Sequence, residues 1–523
     1  MQIDKDIQSR QEARDLCAKA KEAQLEFKHY NQEQVDKIIK SMVDAGMRES
    51  ERLAKMALEE TGFGKWEDKL IKNQFATRDV YNHIKDLKTV GVIETRSNGK
   101  IVRIAEPMGV VAAIIPSTNP TSTAMFKSII SLKCRNTIVA SPHPKAVNCT
   151  LEALKVMSEA AVSAGAPKNL ILGMTIPTLE GTEALMKEDN VAIILATGSN
   201  PMVKAAYSAG KPAYGVGSGN VPSYIDRSAN YKKAVSDIIK GTTFDNGTLC
   251  SSEQAMIVDR PLAEKVIAES KSKGIYFVTS EEKRKLENAV TKGGKLNAEI
   301  VGKSAEFIAE YAGIKVPAGT KVLAAECTTV GHDELLSMEK LSPMLAFYVV
   351  DGWLDGCHKC IELLKFGGIG HTLSIHANDQ DIIMKFALEK PAFRIVVNTP
   401  SSLGAVGYTT DLAPTLTIGV GTWGGSIISE NVSAVHLMNV KTLAYETKPI
   451  NEGNSVSSLK HVSSSSGFME TIEERLRARA GNPVIKEKTN QPQEKIVPKD
   501  KSAVFGSGIS KGEINKIISE FKH

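Results

Sequence analysis

Aromatic residues are scarce in this 523-residue chain, at 5% of the total, and no apolar run approaches the ~20 residues that a membrane helix requires. The longest such runs, Met108 to Ile115 and Val191 to Ala196, have the length of buried strands, so no membrane span is expected. Charge of one sign is missing too. The 65 Lys and Arg against 60 Asp and Glu leave a net +5 with no long basic block, which argues against a nucleic-acid partner. The N-terminal stretch MQIDKDIQSRQEARDLCAKAKEAQ carries charges throughout and has no apolar centre, so no secretory signal is read and a cytoplasmic location is expected. Cysteine pairing is also lacking: the seven cysteines, at 17, 134, 149, 250, 327, 357 and 360, form an odd, scattered set that fits a reduced protein better than a disulfide framework. Cys357 and Cys360 make one CxxC around His358, but no second ligand pair follows, so no metal site is expected.

What is present is length enough for two or more domains of ~100 to 200 residues, and an ordinary globular balance of 42% hydrophobic and 24% charged residues. Residues 8 to 60 read as amphipathic helices, because Val35, Ile38, Ile39 and Met42 recur at helical spacing on one face. VGVIETRSNGKIVRIAEP (90 to 107) alternates around Asn98-Gly99, a dipeptide suited to a tight turn, and predicts a β-hairpin. From Gly109 to about Lys240 the segments VVAAIIP, NTIVAS, NLILGM and AIILAT alternate with helical sequence, the rhythm of a parallel α/β sheet. A second α/β segment runs from Gly241 to about Asn431, with strands expected at AMIVD, LAFYVV, LSIHA and RIVVN. Two such lobes imply a cleft between them.

Chemistry is concentrated in GTTFDNGTLCSSEQ (241 to 254), where small and polar residues surround one thiol. Cys250 is the candidate nucleophile, since thiolates attack carbonyl carbon well and a covalent intermediate divides a hard reaction into two easier ones. The competing reading is a structural cysteine, among the most buried of residue types.

Four segments carry a resemblance. FDNGTLCSSEQ resembles the nucleophile segment of the aldehyde dehydrogenase superfamily, and EPMGVVAAIIPSTNP (106 to 120) resembles its strand and loop ending in a functional asparagine, here Asn119. ATGSNPMVKAA (196 to 206) resembles the cofactor segment, and MEKLSPML (338 to 345) resembles the glutamate-to-proline segment, which puts Glu339 at the cofactor ribose. Their order and spacing match along residues 20 to 445. The resemblance implies a Rossmann-like NAD-binding domain with the N-terminal helices over 1–89 and 108–240, a catalytic α/β domain over 241–431, and an oligomerisation element from 90–107 with 432–447. It also implies a homodimer or homotetramer.

By the same resemblance, Asn119 and the Cys250 backbone N–H would hold the oxygen of a thiohemiacetal, although Asn-Pro taken alone reads as a turn first. Thr197, Gly198, Ser199, Ser141, Pro142, His143, Gly217, Glu339 and Pro343 would bind the cofactor, and His371 would lie near the coenzyme A or acyl path unless it is a satisfied structural histidine. The adenosine-ribose positions hold Ser141 and Pro144, with no acidic group to repel a 2′-phosphate; NAD is expected and NADP stays open. Gly215 to Gly219 offers a GxG pattern without the third spaced glycine of a dinucleotide fingerprint.

The departures direct the outcome. Val216 stands where hydrolysing members of the superfamily hold a glutamate that activates water, and no glutamate occurs between Glu188 and Glu253. With IVASPHPKA (138 to 146) and GIGHTLSIH (368 to 376), this resembles the CoA-acylating branch, which implies a short-chain aldehyde such as acetaldehyde or propionaldehyde and coenzyme A as acyl acceptor. The alternatives are a hydrolytic enzyme that releases the free acid, or an inactive shell-binding scaffold. Past residue 448 a polar Ser/Gly-rich and Pro/Lys/Gln-rich stretch, 448–504, reads as a flexible region with one short helix, FMETIEERLRARA. In 505–523, Ile514, Ile517, Ile518 and Phe521 form a single apolar stripe, which docks either on a partner or on its own subunit. This segment resembles the encapsulation peptides of bacterial microcompartments, and so implies shell proteins as partners and a location inside such a compartment.

Overall fold

The computed structural model describes residues 4–450, apart from Gly294 and Pro449. The expected flexible region and targeting helix therefore lie outside the described residues, apart from the first residues past 448.

Two helices open the chain, Lys5–Phe27 and Gln32–Thr61. The second starts in a reciprocal cap: Asn31 Oδ1 accepts from the Gln34 N–H, and Gln34 Oε1 accepts from the Asn31 N–H, both at 2.9 Å. Its apolar stripe is buried as its spacing predicts, with Val35, Ile38, Ile39 and Met42 no more than 1% exposed. Strands β1 (Gly91–Arg96) and β2 (Ile101–Pro107) form the expected antiparallel hairpin, and Ser97, Asn98 and Gly99 at its turn all have positive φ. The late strand β17 (Met438–Ala444) returns to pair with β2, from Met438 opposite Pro107 to Ala444 opposite Ile101. The hairpin stands where its sequence predicts it, and β17 falls in the 432–447 segment grouped with it.

The first parallel sheet has strand order β5-β4-β3-β6-β7: β3 (Val110–Ile115), β4 (Thr137–Pro142), β5 (Ile171–Gly173), β6 (Val191–Thr197) and β7 (Ala213–Val216). Buried on both faces, β3 and β4 read as continuous apolar runs rather than alternating ones. From β3 the chain moves outward through β4 and β5, then returns to β6 on the other side. That reversal opens a crevice at the carboxyl ends of β3 and β6, the place where open α/β sheets take ligands.

The second sheet is also parallel, with order β10-β13-β14-β9-β8-β15-β16. It is built from β8 (Val221–Ile225), β9 (Glu253–Asp259), β10 (Ile275–Phe277), β13 (Val322–Glu326), β14 (Met344–Val350), β15 (Gly370–His376) and β16 (Ala392–Val397). A small hairpin, β11 (Thr291–Lys292) and β12 (Lys295–Leu296), lies between β10 and β13 in sequence.

Two domain boundaries need correction. The strand β8 belongs to the second sheet, so the lobes divide between Val216 and Val221, not at 240. VPSYI hid this because proline is rare in central strands; here Pro222 stands at a register shift against β9, where a missing donor is tolerated. The second lobe also ends earlier than 431, because Ala405, Val406, Leu416, Ile418, Val420 and Val432 pack into the core of the first sheet. No helix among the described residues is long and apolar enough to cross a membrane.

Candidate active site

A cavity of about 810 Å³ opens at the carboxyl ends of the first sheet. Asn119 follows β3, Ser141 and Pro142 end β4 with His143 next, Thr197 ends β6 with Gly198 and Ser199 following, and Val216 ends β7 with Gly217 next; all of them line it. The facing wall brings Thr248, Cys250, Glu339, Leu341 and the β12 residues Lys295 and Leu296. The sequence-predicted residues thus converge on one space from both lobes, with two exceptions. Pro343 is buried just before β14, where its carbonyl accepts the Leu323 N–H at 3.0 Å, and it is not among the residues that line the cavity. His371 is fully buried and is not among the residues that line the cavity; its Nδ1 contacts Thr372 Oγ1 at 3.0 Å, while its Nε2 has no hydrogen-bond partner among the described residues.

The cofactor end suits a dinucleotide. The helix Asn200–Tyr207 begins there with no side chain capping its first N–H groups, which leaves donors and a favourable dipole for an anion. The Asn200 side chain instead accepts from the Ser218 N–H at 2.8 Å and braces the glycine-rich turn after β7. Ser141 and Thr182 share a hydroxyl contact of 2.7 Å, and Thr197 and Thr417 one of 3.2 Å, so these polar side chains are fixed before any ligand arrives.

Cys250 sits on a tight turn just before β9. That turn is possible because Gly219 carries no side chain: a Cβ there would stand 2.2 Å from the Cys250 carbonyl oxygen and 3.1 Å from the His371 ring. Burial pushes the thiol up to about 12, and the Glu339 carboxylate adds to the rise, while Arg394 and the N–H groups of Cys250 and Ser251 oppose it. The resting sulfur is therefore a thiol. Glu339 is itself pushed up to about 7 by burial, and its Oε1 accepts from the Gly219 N–H at 2.9 Å. It is the sole carboxylate among the cavity-lining residues. Val216 is 2% exposed and offers no base, and Glu253, three residues after the thiol, is fully buried away from the cavity with Oε1 on the Ser401 N–H.

Below pH 12 the thiolate fraction of such a sulfur grows about tenfold per pH unit, and the thiolate is what reacts. Alkylation of Cys250 by iodoacetamide is thus expected to rise log-linearly with pH from 7 to 9, without a plateau. Glu339→Gln removes a negative charge that disfavours the thiolate, so alkylation at pH 8 should become several-fold faster, on the order of 3- to 10-fold, for a shift of about half to one pKa unit. A plateau near pH 7 in the parent protein, or slower alkylation of the variant, would contradict this picture of the site.

Sequence reasoning missed the group that holds Asn119. Lys69 and Lys72, on the helix Trp66–Gln74, are both buried, and both donate to Asp245 Oδ2, Lys69 at 2.9 Å and Lys72 by a shorter contact. Lys72 Nζ also donates to Asn119 Oδ1 at 2.5 Å. An ammonium cannot accept, so Oδ1 must face Lys72 and the Asn119 amide nitrogen must turn the other way. Burial lowers Lys72 to about 8 against the pull of Asp245. Burial acts to raise Asp245, but Lys69 and Lys72 outweigh it and hold the carboxyl below its usual range. Further support comes from Thr248 Oγ1 at 2.8 Å and the Lys65 N–H at 2.7 Å. Asp245 reaches this position in a left-handed conformation, φ 48°, and Gly64 must lack a side chain because a Cβ there would lie 1.8 Å from Asp245 Oδ1. The signal was present in FDNG, but its partner lysines lie on a separate helix far away in sequence.

Arg394 was missed as well. Its buried guanidinium donates to the His371 carbonyl at 2.9 Å, to Asn431 Oδ1 and the Ser429 carbonyl at 2.6 Å, and to the Gly419 carbonyl. Every partner is neutral, so its charge remains available to the Cys250 sulfur. His371, pushed down to about 3 by burial and by Arg394, is neutral and shares a 3.0 Å contact with Thr372 Oγ1. Cys357 and Cys360 are buried on the helix Gly352–Gly367, Cys357 beside Lys390 Nζ at 2.5 Å. Among the described residues no group of three or more His, Cys, Asp or Glu side chains is placed to hold a metal.

The model of the aldehyde dehydrogenase family matches residues 6–328. An aldehyde-alcohol dehydrogenase of Clostridium acetobutylicum is 47% identical over 429 residues, which is 81% of this chain but 50% of that protein; the chain spans about half the length of such relatives. The crystal structure of an acetylating aldehyde dehydrogenase from Geobacillus thermoglucosidasius superposes with a TM-score of 0.85 at 51% identity, covering 86% of this chain and all of that one. A propionaldehyde dehydrogenase from the fucose utilisation bacterial microcompartment of Clostridium phytofermentans has a TM-score of 0.74 at 31% identity, covering 82% of this chain and 96% of that one. With its cysteine turn, its asparagine loop and its crevice between two parallel sheets, the chain belongs to the aldehyde dehydrogenase family.

Proposed function

We propose that the chain is a CoA-acylating aldehyde dehydrogenase: it oxidises a short-chain aldehyde at Cys250 and passes the acyl group to coenzyme A. The observation that carries this reading is the composition of the cavity. A thiol faces it, valine occupies one wall where a water-activating carboxylate would serve hydrolysis, and the one carboxylate among the described lining residues, Glu339, has its Oε1 held by the Gly219 N–H. In the first step the Cys250 sulfur attacks the aldehyde carbon, and the Asn119 amide and Cys250 N–H meet the oxygen as it gains charge. A nicotinamide cofactor, when bound, supplies the hydride acceptor; Ser141, Pro142, His143, Thr197, Gly198, Ser199 and Gly217 would hold it, with Glu339 at its ribose. NAD is the proposed cofactor, with NADP left open by the absence of an acidic residue at Ser141 and Pro144. The thioester left on Cys250 then meets the coenzyme A thiolate, which forms the new C–S bond as the Cys250 sulfur departs. Without a general base, worth about 100- to 10,000-fold, water competes poorly for that thioester.

Asn119→Ala is expected to slow NADH formation by about 100- to 1000-fold while cofactor affinity stays within about twofold. A loss below tenfold would mean that Asn119 is only a turn residue before its helix. The overall reading is tested by steady-state NADH formation from acetaldehyde and propionaldehyde with and without coenzyme A. Strict dependence on coenzyme A is expected, and rapid turnover in its absence would favour the hydrolytic alternative.

We also propose a homodimer or homotetramer built through the β1-β2-β17 sheet, and a location inside a bacterial microcompartment through segment 505–523. The apolar spacing of Ile514, Ile517, Ile518 and Phe521 supports the latter, as does the microcompartment origin of the propionaldehyde dehydrogenase relative. Deleting 505–523 is expected to abolish co-purification with shell proteins and to leave turnover unchanged; unchanged co-purification would remove the targeting role.

A further inference from the structure

We propose that a second cleft, separate from the active site, binds a small ligand carrying a di- or polyphosphate group and thereby acts on the reaction. The cleft has a volume of about 660 Å³ and shares no lining residue with the active-site cavity. Four lysines line it, Lys65, Lys240, Lys273 and Lys321, and each comes from a different segment of the chain. Such convergence is unlike the solvated face of one helix, where successive charges diverge.

The charges are poorly balanced. Glu306 is the sole acid in the lining, and its Oε1 already accepts from the Gly319 N–H at 2.6 Å. Lys273 lies 3.7 Å from Glu269, but Lys65, Lys240 and Lys321 form no ion pair among the described residues. Like charges gathered in one concavity repel one another and raise the local concentration of anions. The net charge of +3 in the lining exceeds what a monovalent anion neutralises, whereas a diphosphate matches it. Lysine point charges, unlike arginine forks, suit the variable geometry of a phosphate chain.

The cleft also reaches the active site through two bonded neighbours. Asn246 lines the cleft, and the adjacent Asp245 faces the other way, into the pair of lysines that fixes Asn119. Both residues have positive φ, 48° and 52°, a conformation that costs energy in residues other than glycine and that the surroundings must enforce. Lys65 lines the cleft too, and its backbone N–H donates to Asp245 Oδ1 at 2.7 Å. A ligand that draws on Lys65 and Asn246 therefore pulls on the support of Asn119. This second part of the proposal rests on the catalytic role given to Asn119 above; the binding itself does not.

The test is calorimetric titration of the full chain with inorganic pyrophosphate, alone and with saturating NAD, for the parent and for the double variant Lys240→Gln, Lys321→Gln. Neither lysine belongs to the catalytic machinery, so basal turnover should be unchanged. Pyrophosphate is expected to bind the parent irrespective of NAD, to bind the variant at least about tenfold more weakly, and to change NADH formation by about twofold or more in the parent only. Absence of binding up to about 10 mM, displacement by NAD, or equal binding to both proteins would overturn the site. Binding that leaves the rate unchanged would overturn the coupling. Binding to a protein inactive on every short aldehyde would leave the site standing and count against the proposed reaction instead.

Discussion

Cys250→Ala is expected to lower aldehyde-dependent NADH formation by at least about 10⁴-fold, since removing a covalent nucleophile takes away the reaction path itself and not one stabilising contact. The fold should survive. Cys250 is only partly exposed, and the substitution removes one sulfur at the cavity surface, from a side chain that packs on the edge of the first core and not inside it. Cofactor binding is therefore expected to persist, and coenzyme A binding with it, so that calorimetry separates lost chemistry from lost structure. The other six cysteines make a built-in control: all are buried, and those whose ionisation is perturbed are pushed up by burial. A Cys149→Ala variant should keep nearly full activity. If Cys250→Ala retained more than about 1% of the parental rate, no acyl-sulfur step could lie on the main path.

Asp245→Asn should be the most damaging change outside the cavity. Asparagine fits the left-handed backbone and the volume, so the substitution isolates the charge. It leaves Lys69 and Lys72, 3% and 4% exposed in their side chains, as two buried cations without their shared counter-ion. Breaking a buried pair in this way costs about 3–5 kcal/mol, which urea unfolding would read directly. A functional loss should accompany it, because Lys72 is released from the geometry in which it fixes Asn119 Oδ1. Lys72→Met separates the two effects. It removes one cation and keeps the Lys69–Asp245 pair, so stability should suffer less while the rate falls by a factor comparable to the Asn119→Ala loss. Should Asp245→Asn keep both stability and rate, the buried lysine pair would be packing alone.

The elements that position the site were legible wherever one residue pattern had one physical meaning. Val35, Ile38, Ile39 and Met42 could only be a buried helical stripe, Asn98-Gly99 only a tight turn, and VVAAII only a strand covered on both faces. Legibility failed where meaning depended on distant partners. Proline is unfavourable in a central strand, yet Pro222 stands in β8 at a register shift in the neighbouring pairing. Lys69 and Lys72 gave no signal of their own, because Asp245, about 175 positions later, is what allows them inside. The same holds for Arg394, whose carbonyl partners, His371, Gly419 and Ser429, come from three separate stretches of the chain. Pro343 was misplaced for the opposite reason: it is close in sequence to the cavity residues Glu339 and Leu341, but it lies just before β14 with its carbonyl on the Leu323 N–H.

The most direct measurement is the intact mass of the protein after mixing with propionaldehyde and NAD in the absence of coenzyme A, followed by peptide mapping. The account predicts one propionyl adduct per chain, on Cys250, that persists for many turnovers' worth of time and disappears on addition of coenzyme A as propionyl-CoA forms. An adduct on another residue, or one that decays to propionate as quickly without coenzyme A as with it, would contradict the account.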